Sequence, residues 1–352
     1  MKRTTFWRTS RLSRIRDSLW LSRARPAGAA VSSLAKPSRI LPADRAASRQ
    51  YPWPVHAAGR LPVVSVLVVS YNVRELLLDT LETLFASRDV DLEVVVVDNA
   101  SEDGSVEAVE ERFPQVRVIR MRSNVGFGRA NNAGFGECHG RFVLLLNPDV
   151  LAAPDCVARL ADFLLVHSEA GAVGPKLTRP DGGLDLAARR SFPSPMVALY
   201  RILGLSRLFP NSRRFGRYNL SHVSPDQLQE IDAGTGACLM LRRAAIERVG
   251  FFDPDFFMYG EDLDLCYRIK EGGWKVYYLP SATAIHVKGA ASRQYTQRML
   301  WQFHSAMWTF HDKHYADDLP AFGNGLIWAG IWLRWLILSA RAALNREAVV
   351  SP

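Results

Sequence analysis

Three apolar runs in this chain each stop on a polar tip, and that pattern restricts the fold more than any other feature. Val143-Leu144-Leu145-Leu146 ends in Asn147-Pro148-Asp149, residues 94–97 run into Asp98-Asn99, and residues 66–69 into Ser70-Tyr71-Asn72. A short continuous apolar run bounded by turn residues reads as a strand buried on both faces. Ligands of open α/β sheets bind beyond the carboxyl ends of such strands. Three polar tips in one stretch therefore describe a nucleotide site better than an arbitrary core. A distal segment, Tyr259-Gly260-Glu261-Asp262-Leu263-Asp264, adds a cluster of acids that no simple core requires.

From residue 63 strand and helix patterns alternate, which argues for an α/β fold with a largely parallel sheet covered by helices. The expected order is a strand at 63–70, then a helix in which Val73, Leu76, Leu77, Leu81, Leu84 and Phe85 repeat at helical spacing. A strand at 93–97 and a helix through Val106, Val109 and Phe113 follow. Next come a strand at 116–121, a Gly/Asn loop at 124–132 that opens a helix, and a strand at 141–146. Pro154 is expected at the first position of the next helix. Residues 175–230 look irregular and Arg-rich, with Arg189, Arg190, Arg213, Arg214 and Arg217. Structure resumes at 231–241, with a helix near 244–249, a helix at 261–271 stopped by Gly272-Gly273, and a strand at 274–279 leading to His286.

The formal charge of +9 suggests a nucleic-acid partner until it is located. Residues 1–60 carry thirteen Lys/Arg and only Asp17 and Asp44, leaving 31 basic and 33 acidic side chains in the remaining body. The body is near neutral and the basicity belongs to an appendage, so residues 1–62 are expected as a largely disordered basic extension. A short amphipathic helix near 6–21 is expected within it. Such an arm suits an anionic membrane surface, at roughly 1 kcal/mol per Lys/Arg. No nucleic acid is expected as a partner, and an organellar transit role is the lesser alternative. Cys138, Cys156, Cys238 and Cys266 form no CxxC pair, which points away from zinc and disulfides and towards a reducing compartment. Residues 291–352 read as a helical region. Its apolar stretch at 325–338 is about fourteen residues long, interrupted by Arg334 and rich in Trp, so it is expected to lie at a membrane surface rather than span it, with packing on the catalytic body or a dimer partner as the alternative.

The candidate chemistry follows from the tips. Asp98 suits hydrogen bonds to a nucleobase or ribose, and capping of the next helix, shared with Ser101, is its bland alternative. The loop at 124–132 is no dinucleotide fingerprint, because Gly126-Phe127-Gly128 follows the third strand and Asn131 stands where a third glycine belongs. It is expected instead to bring backbone N–H groups towards phosphate. Asp149 is the candidate ligand for a hard cation, Mg²⁺ or Mn²⁺, which takes carboxylate and phosphate oxygens. Asp264 has an intrahelical partner in Arg268 four residues on, and Glu261 suits a helix N-terminus. Asp262 has no local partner and is the candidate general base. His286 beside Asp149 would complete a metal site, and Lys288 would neutralise phosphate.

With those residues in place, the chain resembles the family 2 glycosyltransferases of the GT-A fold over residues 63–290. The resemblance rests on six pieces: 64–72, 96–101, 124–132, Leu-Asn-Pro-Asp at 146–149, Gly-Ala-Cys-Leu-Met at 236–240, and Tyr-Gly-Glu-Asp-Leu-Asp-Leu at 259–265. Within the family it is most similar to bacterial rhamnosyltransferases that build cell-wall or surface polysaccharide. That resemblance implies an inverting transfer from a nucleoside-diphosphate sugar to a glycan or polyprenyl-linked acceptor. It implies a cytoplasmic enzyme, peripheral at the inner face of the cell membrane, and leaves oligomerisation open. By position, Tyr71 and Asp98 would hold the nucleoside, with Ser70, Asn72, Asn99, Asn124, Gly126, Asn131 and Asn147 around the donor. Asp149 and His286 would hold the metal and Asp262 would be the base. Tyr259, Glu261 and Lys288 are the candidates nearest the acceptor. The chain departs from the family's paired acids at Asn147, leaving one carboxylate where many relatives have two. A non-catalytic nucleotide-sugar or glycan-binding module is the alternative of another class.

Overall fold

The first sheet strand, β1 (Val64–Ser70), is buried at every residue and pairs in parallel with both β2 (Leu92–Asp98) and β4 (Phe142–Leu146). A strand flanked on both sides and covered on both faces must be apolar throughout. The sequence Val-Ser-Val-Leu-Val-Val-Ser meets that condition except at its two serines, both buried. Strand β3 (Arg117–Arg120) extends the parallel half beyond β2. The first helices are α1 (Arg74–Phe85), α2 (Ser105–Arg112) and α3 (Phe127–Phe135). Helix α1 buries Leu77, Leu81 and Leu84 of the expected stripe and Leu78 besides, while Leu76 and Phe85 are half-buried and Val73 is the N-cap.

The structure is a computed structural model. It describes residues 64–287 and 297–345, apart from residue 203, and all of these lie in one compact unit, Gly59–Pro352. The basic extension at 1–62 and Lys288 lie outside the described residues.

Beyond β4 the sheet changes character. Its strand order is β3-β2-β1-β4-β8-β6-β9-β5, with β7 also on β9. The added strands are β5 (Val150–Ala152), β6 (Ala170–Thr178), β7 (Gln229–Ile231), β8 (Cys238–Arg242) and β9 (Lys275–His286). Strand β8 runs antiparallel to both neighbours, and β5 and β7 run antiparallel to β9, while β6 and β9 are parallel. The mostly parallel α/β sheet expected from the sequence thus holds for its first half, and the second half is mixed. Strand β6 falls partly in the stretch that looked irregular. Strand β9 runs twelve residues, past the expected end at 279, because 284–286 pair with β5 and 283–285 with the end of β6. Helices α4 (Cys156–Val166), α5 (Pro195–Ile202), α6 (Leu205–Leu208), α7 (Arg243–Val249) and α8 (Glu261–Glu271) complete the body. Pro154 precedes α4 by two residues instead of opening it; Asp155 takes the N-cap position.

Two further helices close the chain, α9 (Gln297–Tyr315) and α10 (Ala321–Asn345). Helix α9 is tied to α8 through Asp264. That carboxylate meets Arg268 at 2.8 Å as the sequence predicts, and also Lys313 at 2.7 Å and His314 at 2.9 Å. Burial alone would raise its proton affinity, but the His314, Arg268 and Lys313 contacts win and hold its pKa down at about 2. Helix α10 runs back along α9, as contacts between Gln297 and Ser339, His304 and Arg334, and His311 and Asn324 establish. The expected fourteen-residue apolar stretch is corrected here. The helix has 25 residues, and its segment Ala321–Ala343 is long and apolar enough to cross a membrane, at mean hydropathy 1.3. Arg334 does not interrupt the outer face, because its guanidinium turns inward onto His304 Nε2 at 2.9 Å and over the Phe303 ring.

Candidate active site

The carboxyl ends of β1, β2 and β4 and the segment leading into β8 form one edge, and the candidate residues gather there. Asp98 ends β2 directly beside Ser70, which ends β1. One carboxylate oxygen of Asp98, Oδ2, accepts the Ser101 N–H at 3.0 Å and closes the turn. Helix α2 starts later, at an N-cap of Gly104, so Asp98 shapes the turn without capping the helix. Its Oδ1 and the Ser70 hydroxyl are buried without a hydrogen-bond partner in the protein. A buried acceptor left unmatched costs about 1–3 kcal/mol, so both groups are poised for a bound molecule. Tyr71, half exposed, lies one residue beyond the edge.

The asparagines that looked like donor contacts mostly hold the edge together. Asn72, at a φ of +54°, gives its N–H to Ser101 Oγ and accepts from Glu102 N–H. Asn99 donates to Asn124 Oδ1 at 3.0 Å and accepts from Val125 N–H, while Asn124 Oδ1 also accepts from Gly126 N–H. Asn131 donates to the Phe127 carbonyl within α3. Phe127 N–H is given to the Phe257 carbonyl at 2.9 Å. The N–H groups of 125, 126 and 127 therefore already have acceptors, which narrows the expected phosphate contacts of this loop to the first turn of α3. Gly126 is required for a different reason. It sits at a φ of +88°, and a Cβ there would lie 2.3 Å from the Phe257 carbonyl oxygen. The loop is thus locked onto the segment that delivers the acids of α8.

Asp149 follows β4 by three residues and is 5 % exposed. Its Oδ1 lies 3.3 Å from Nε2 of His286, at the end of β9, within ion-pair reach but without hydrogen-bond alignment. The other ring nitrogen of His286, Nδ1, meets Asp185 Oδ2 at 2.8 Å. Burial by itself disfavours the imidazolium, but the two carboxylates outweigh it and raise the pKa of His286 to about 9. Asp185 is itself buried and is fixed by accepting the Ala187 N–H. A carboxylate behind a histidine is the usual way a ligating imidazole is oriented. Asp149 fits a divalent cation in donor type, its unaligned buried Oδ1 being the atom such an ion would take, and His286 would have to give up a proton before Nε2 could join it. Among the described residues no group of three or more His, Cys, Asp or Glu is arranged to hold a metal. One carboxylate with phosphate oxygens and water falls within the magnesium pattern, and that carboxylate is Asp149.

Asp262 sits in the first turn of α8 with its carboxylate towards this same edge. Its Oδ2 accepts Arg190 Nη2 at 2.7 Å and Gly236 N–H at 3.1 Å, and the Arg190 and Asp262 side chains are each only 13 % exposed. The adjoining residue, Ala237, accepts Asn147 N–H through its carbonyl at 2.9 Å, where Leu146 and Cys238 pair across β4 and β8. One hydrogen-bonded path of two backbone segments thus joins the Asp262 carboxylate to the turn that carries Asp149. Glu261 beside it is buried with Oε2 unpartnered; burial first, and the Asp262 charge second, raise its pKa to about 8. Tyr259, at a φ of +71°, packs edge-on against Phe303 of α9.

Two site residues escaped the sequence reading. Arg190 was visible only as one of several arginines in an irregular stretch, and Asp185 carried no motif at all. Both lie in one short segment that touches His286 at one end and Asp262 at the other.

Comparison with known proteins agrees with this architecture. The family model described as glycosyl transferase family 2 matches residues 65–250. The N-acetylglucosaminyl-diphospho-decaprenol L-rhamnosyltransferase of Mycobacterium tuberculosis is 31% identical over 264 residues, covering 72% of this chain and 85% of that protein. A low-salt glycan biosynthesis hexosyltransferase of Haloferax volcanii is 24% identical over 229 residues, 63% of this chain and 66% of its own length. Among solved structures, a Pyrobaculum calidifontis mannosyltransferase in complex with GDP-Man and Mn²⁺ superimposes with a TM-score of 0.51 at 21% identity, covering 86% of this chain and 80% of that one. At that identity the superposition speaks for the fold, while the family match spans more than half of the chain. This protein is a glycosyltransferase and belongs to glycosyl transferase family 2.

Proposed function

We propose that this enzyme moves a sugar, rhamnose by analogy with its mycobacterial relative, from a nucleoside diphosphate to a lipid-linked glycan precursor, with inversion at the anomeric carbon. The observation that carries this reading is the shared anchorage of Asp149 and Asp262 on the β4–β8 end of one sheet edge. Asp98 Oδ1 and the Ser70 hydroxyl are the nucleoside contacts, since both are buried acceptors awaiting a partner. Asp149 and His286 would hold Mg²⁺ or Mn²⁺, which would supply positive charge against the diphosphate leaving group. Asp262 takes the proton of the acceptor hydroxyl as that oxygen attacks the anomeric carbon in line.

Arg190 keeps the Asp262 carboxylate in one orientation, and Gly236 N–H fixes the same oxygen. Such fixing matters because a base misplaced by about 1 Å can cost about 10²-fold in rate. The N-terminal basic arm and the exposed apolar face of α10 suit an enzyme working at the inner face of the cell membrane, where a lipid-linked acceptor resides. The test is a thermal-shift panel of nucleoside-diphosphate sugars with and without Mn²⁺, followed by transfer to an N-acetylglucosaminyl-diphospho-prenol. Stabilisation by a donor without any transfer to such an acceptor would count against the reading.

A further inference from the structure

The forty residues between Asp185 and Asp226 contain seven arginines and not one Asp or Glu. Without them the body beyond residue 60 holds 24 basic and 33 acidic side chains. The positive charge of this stretch is therefore local and opposed to that of its surroundings. Several of its arginines face solvent: Arg207, Arg213 and Arg217 are exposed, and none forms an ion pair among the described residues. Beside them stand large apolar side chains that are also exposed, Leu208 at 70% and Phe209 at 53%, with Met196 on α5 at 54%. A soluble surface seldom sets guanidiniums that lack a carboxylate partner among outward-facing Leu, Phe and Met.

The lobe is rooted in the active site. It leaves the edge at Arg190, which holds Asp262, and its returning leg lies against that departure, since Ser191 N–H donates to the Tyr218 carbonyl at 2.8 Å. Arg217 thus directly precedes a residue hydrogen-bonded to the neighbour of Arg190. An acceptor whose hydroxyl reaches Asp262 would extend its remaining length over this lobe.

We propose that the arginines at 207, 213 and 217 bind the diphosphate of a prenyl-linked acceptor, with Met196, Leu208 and Phe209 against the first prenyl units. The inference rests on the reaction proposed above and names the acceptor's anchoring group. Guanidiniums suit a diphosphate because their planar fork makes paired hydrogen bonds to phosphate oxygens. Bulk anionic lipid offers the same phosphate chemistry, but it would not require the lobe to begin and end beside the base.

The test uses the full chain and the triple variant Arg207→Gln/Arg213→Gln/Arg217→Gln. Binding is measured without donor to neutral micelles carrying an N-acetylglucosaminyl-diphospho-prenol, and separately to micelles carrying phosphatidylglycerol at equal charge. The expected result is about 100-fold weaker binding to the diphospho-prenol micelles, from three arginines at about a few-fold to tenfold each. Binding to phosphatidylglycerol should change far less, and donor binding by thermal shift should not change. Unaltered affinity for the diphospho-prenol, or an equal loss on both micelles, overturns the proposal; the second outcome would make the lobe a general lipid-charge surface. Should the triple variant unfold at lower temperature, Arg213→Gln and Leu208→Ser singly are read the same way. Because binding needs no turnover, a wild-type chain that binds the diphospho-prenol but transfers nothing would defeat the reaction and leave this site standing.

Discussion

The guanidinium of Arg190 meets the carboxylate of Asp262 at 2.7 Å, 72 residues apart in sequence and both nearly enclosed. The proposed base is thus paired with a permanent cation, which steadies the direction of its carboxylate. Arg190→Gln should therefore lower kcat by about 10²-fold with the donor KM little changed, since orientation at the reacting centre is lost. Arg190→Lys should restore part of the rate. An unchanged kcat, at unchanged stability, would argue that the pair is merely structural.

Asp262→Asn removes the proposed base while keeping nearly the same shape. Turnover should fall by about 10²–10⁴-fold, the usual worth of a general base, with donor affinity retained. Isothermal titration with the donor separates the two effects. Near-normal turnover would exclude Asp262 as the base.

Glu261 sets a pH dependence of stability. Its carboxyl binds its proton more tightly when folded, because burial pushes its pKa up to about 8 from the ordinary 4.5. A raised folded pKa gives stability that is whole below pH 4.5 and is lost as pH climbs towards 8. Glu261→Gln cannot ionise, so its melting temperature should exceed that of the wild type at pH 8.5 by at least ~2 °C, with the gap closing at pH 5. Melting curves at the two pH values decide it.

Gly126→Ala tests the lock between the loop and the acidic segment. The added methyl would meet the Phe257 carbonyl at 2.3 Å on a backbone already at a φ of +88°. A destabilisation of about 2–4 kcal/mol is expected, from strain together with displacement of the segment leading to α8. Denaturant titration measures it, and a change below about 0.5 kcal/mol would show that the contact is readily relieved.

On α10, Leu326, Trp328 and Leu333 are each half exposed or more. Replacing Leu326 and Leu333 by Ser should remove a few kcal/mol of membrane partitioning, at about 1.5–3 kcal/mol for each side chain that would be buried. Vesicle co-sedimentation should fall accordingly. Unchanged sedimentation would assign membrane attachment, if any, to another part of the chain.

Local order determined much of this protein. Continuous apolar runs made β1, β2 and β4 legible, helical spacing gave α1, and Gly272-Gly273 gave the end of α8, because each depends on residues within one element. The acids at strand ends were visible for the same reason, as was the Asp264–Arg268 pair at one helical turn. Tertiary structure alone decided what those acids face. Nothing near Asp262 in sequence announces Arg190, nothing near His286 announces Asp185, and nothing in the glycine loop announces that the Phe257 carbonyl takes the N–H of Phe127. The length of β9 and the inward turn of Arg334 were likewise set by partners distant along the chain. The physical reason is that burial and ion pairing depend on which segments the fold brings together, whereas periodicity records only how one segment meets water.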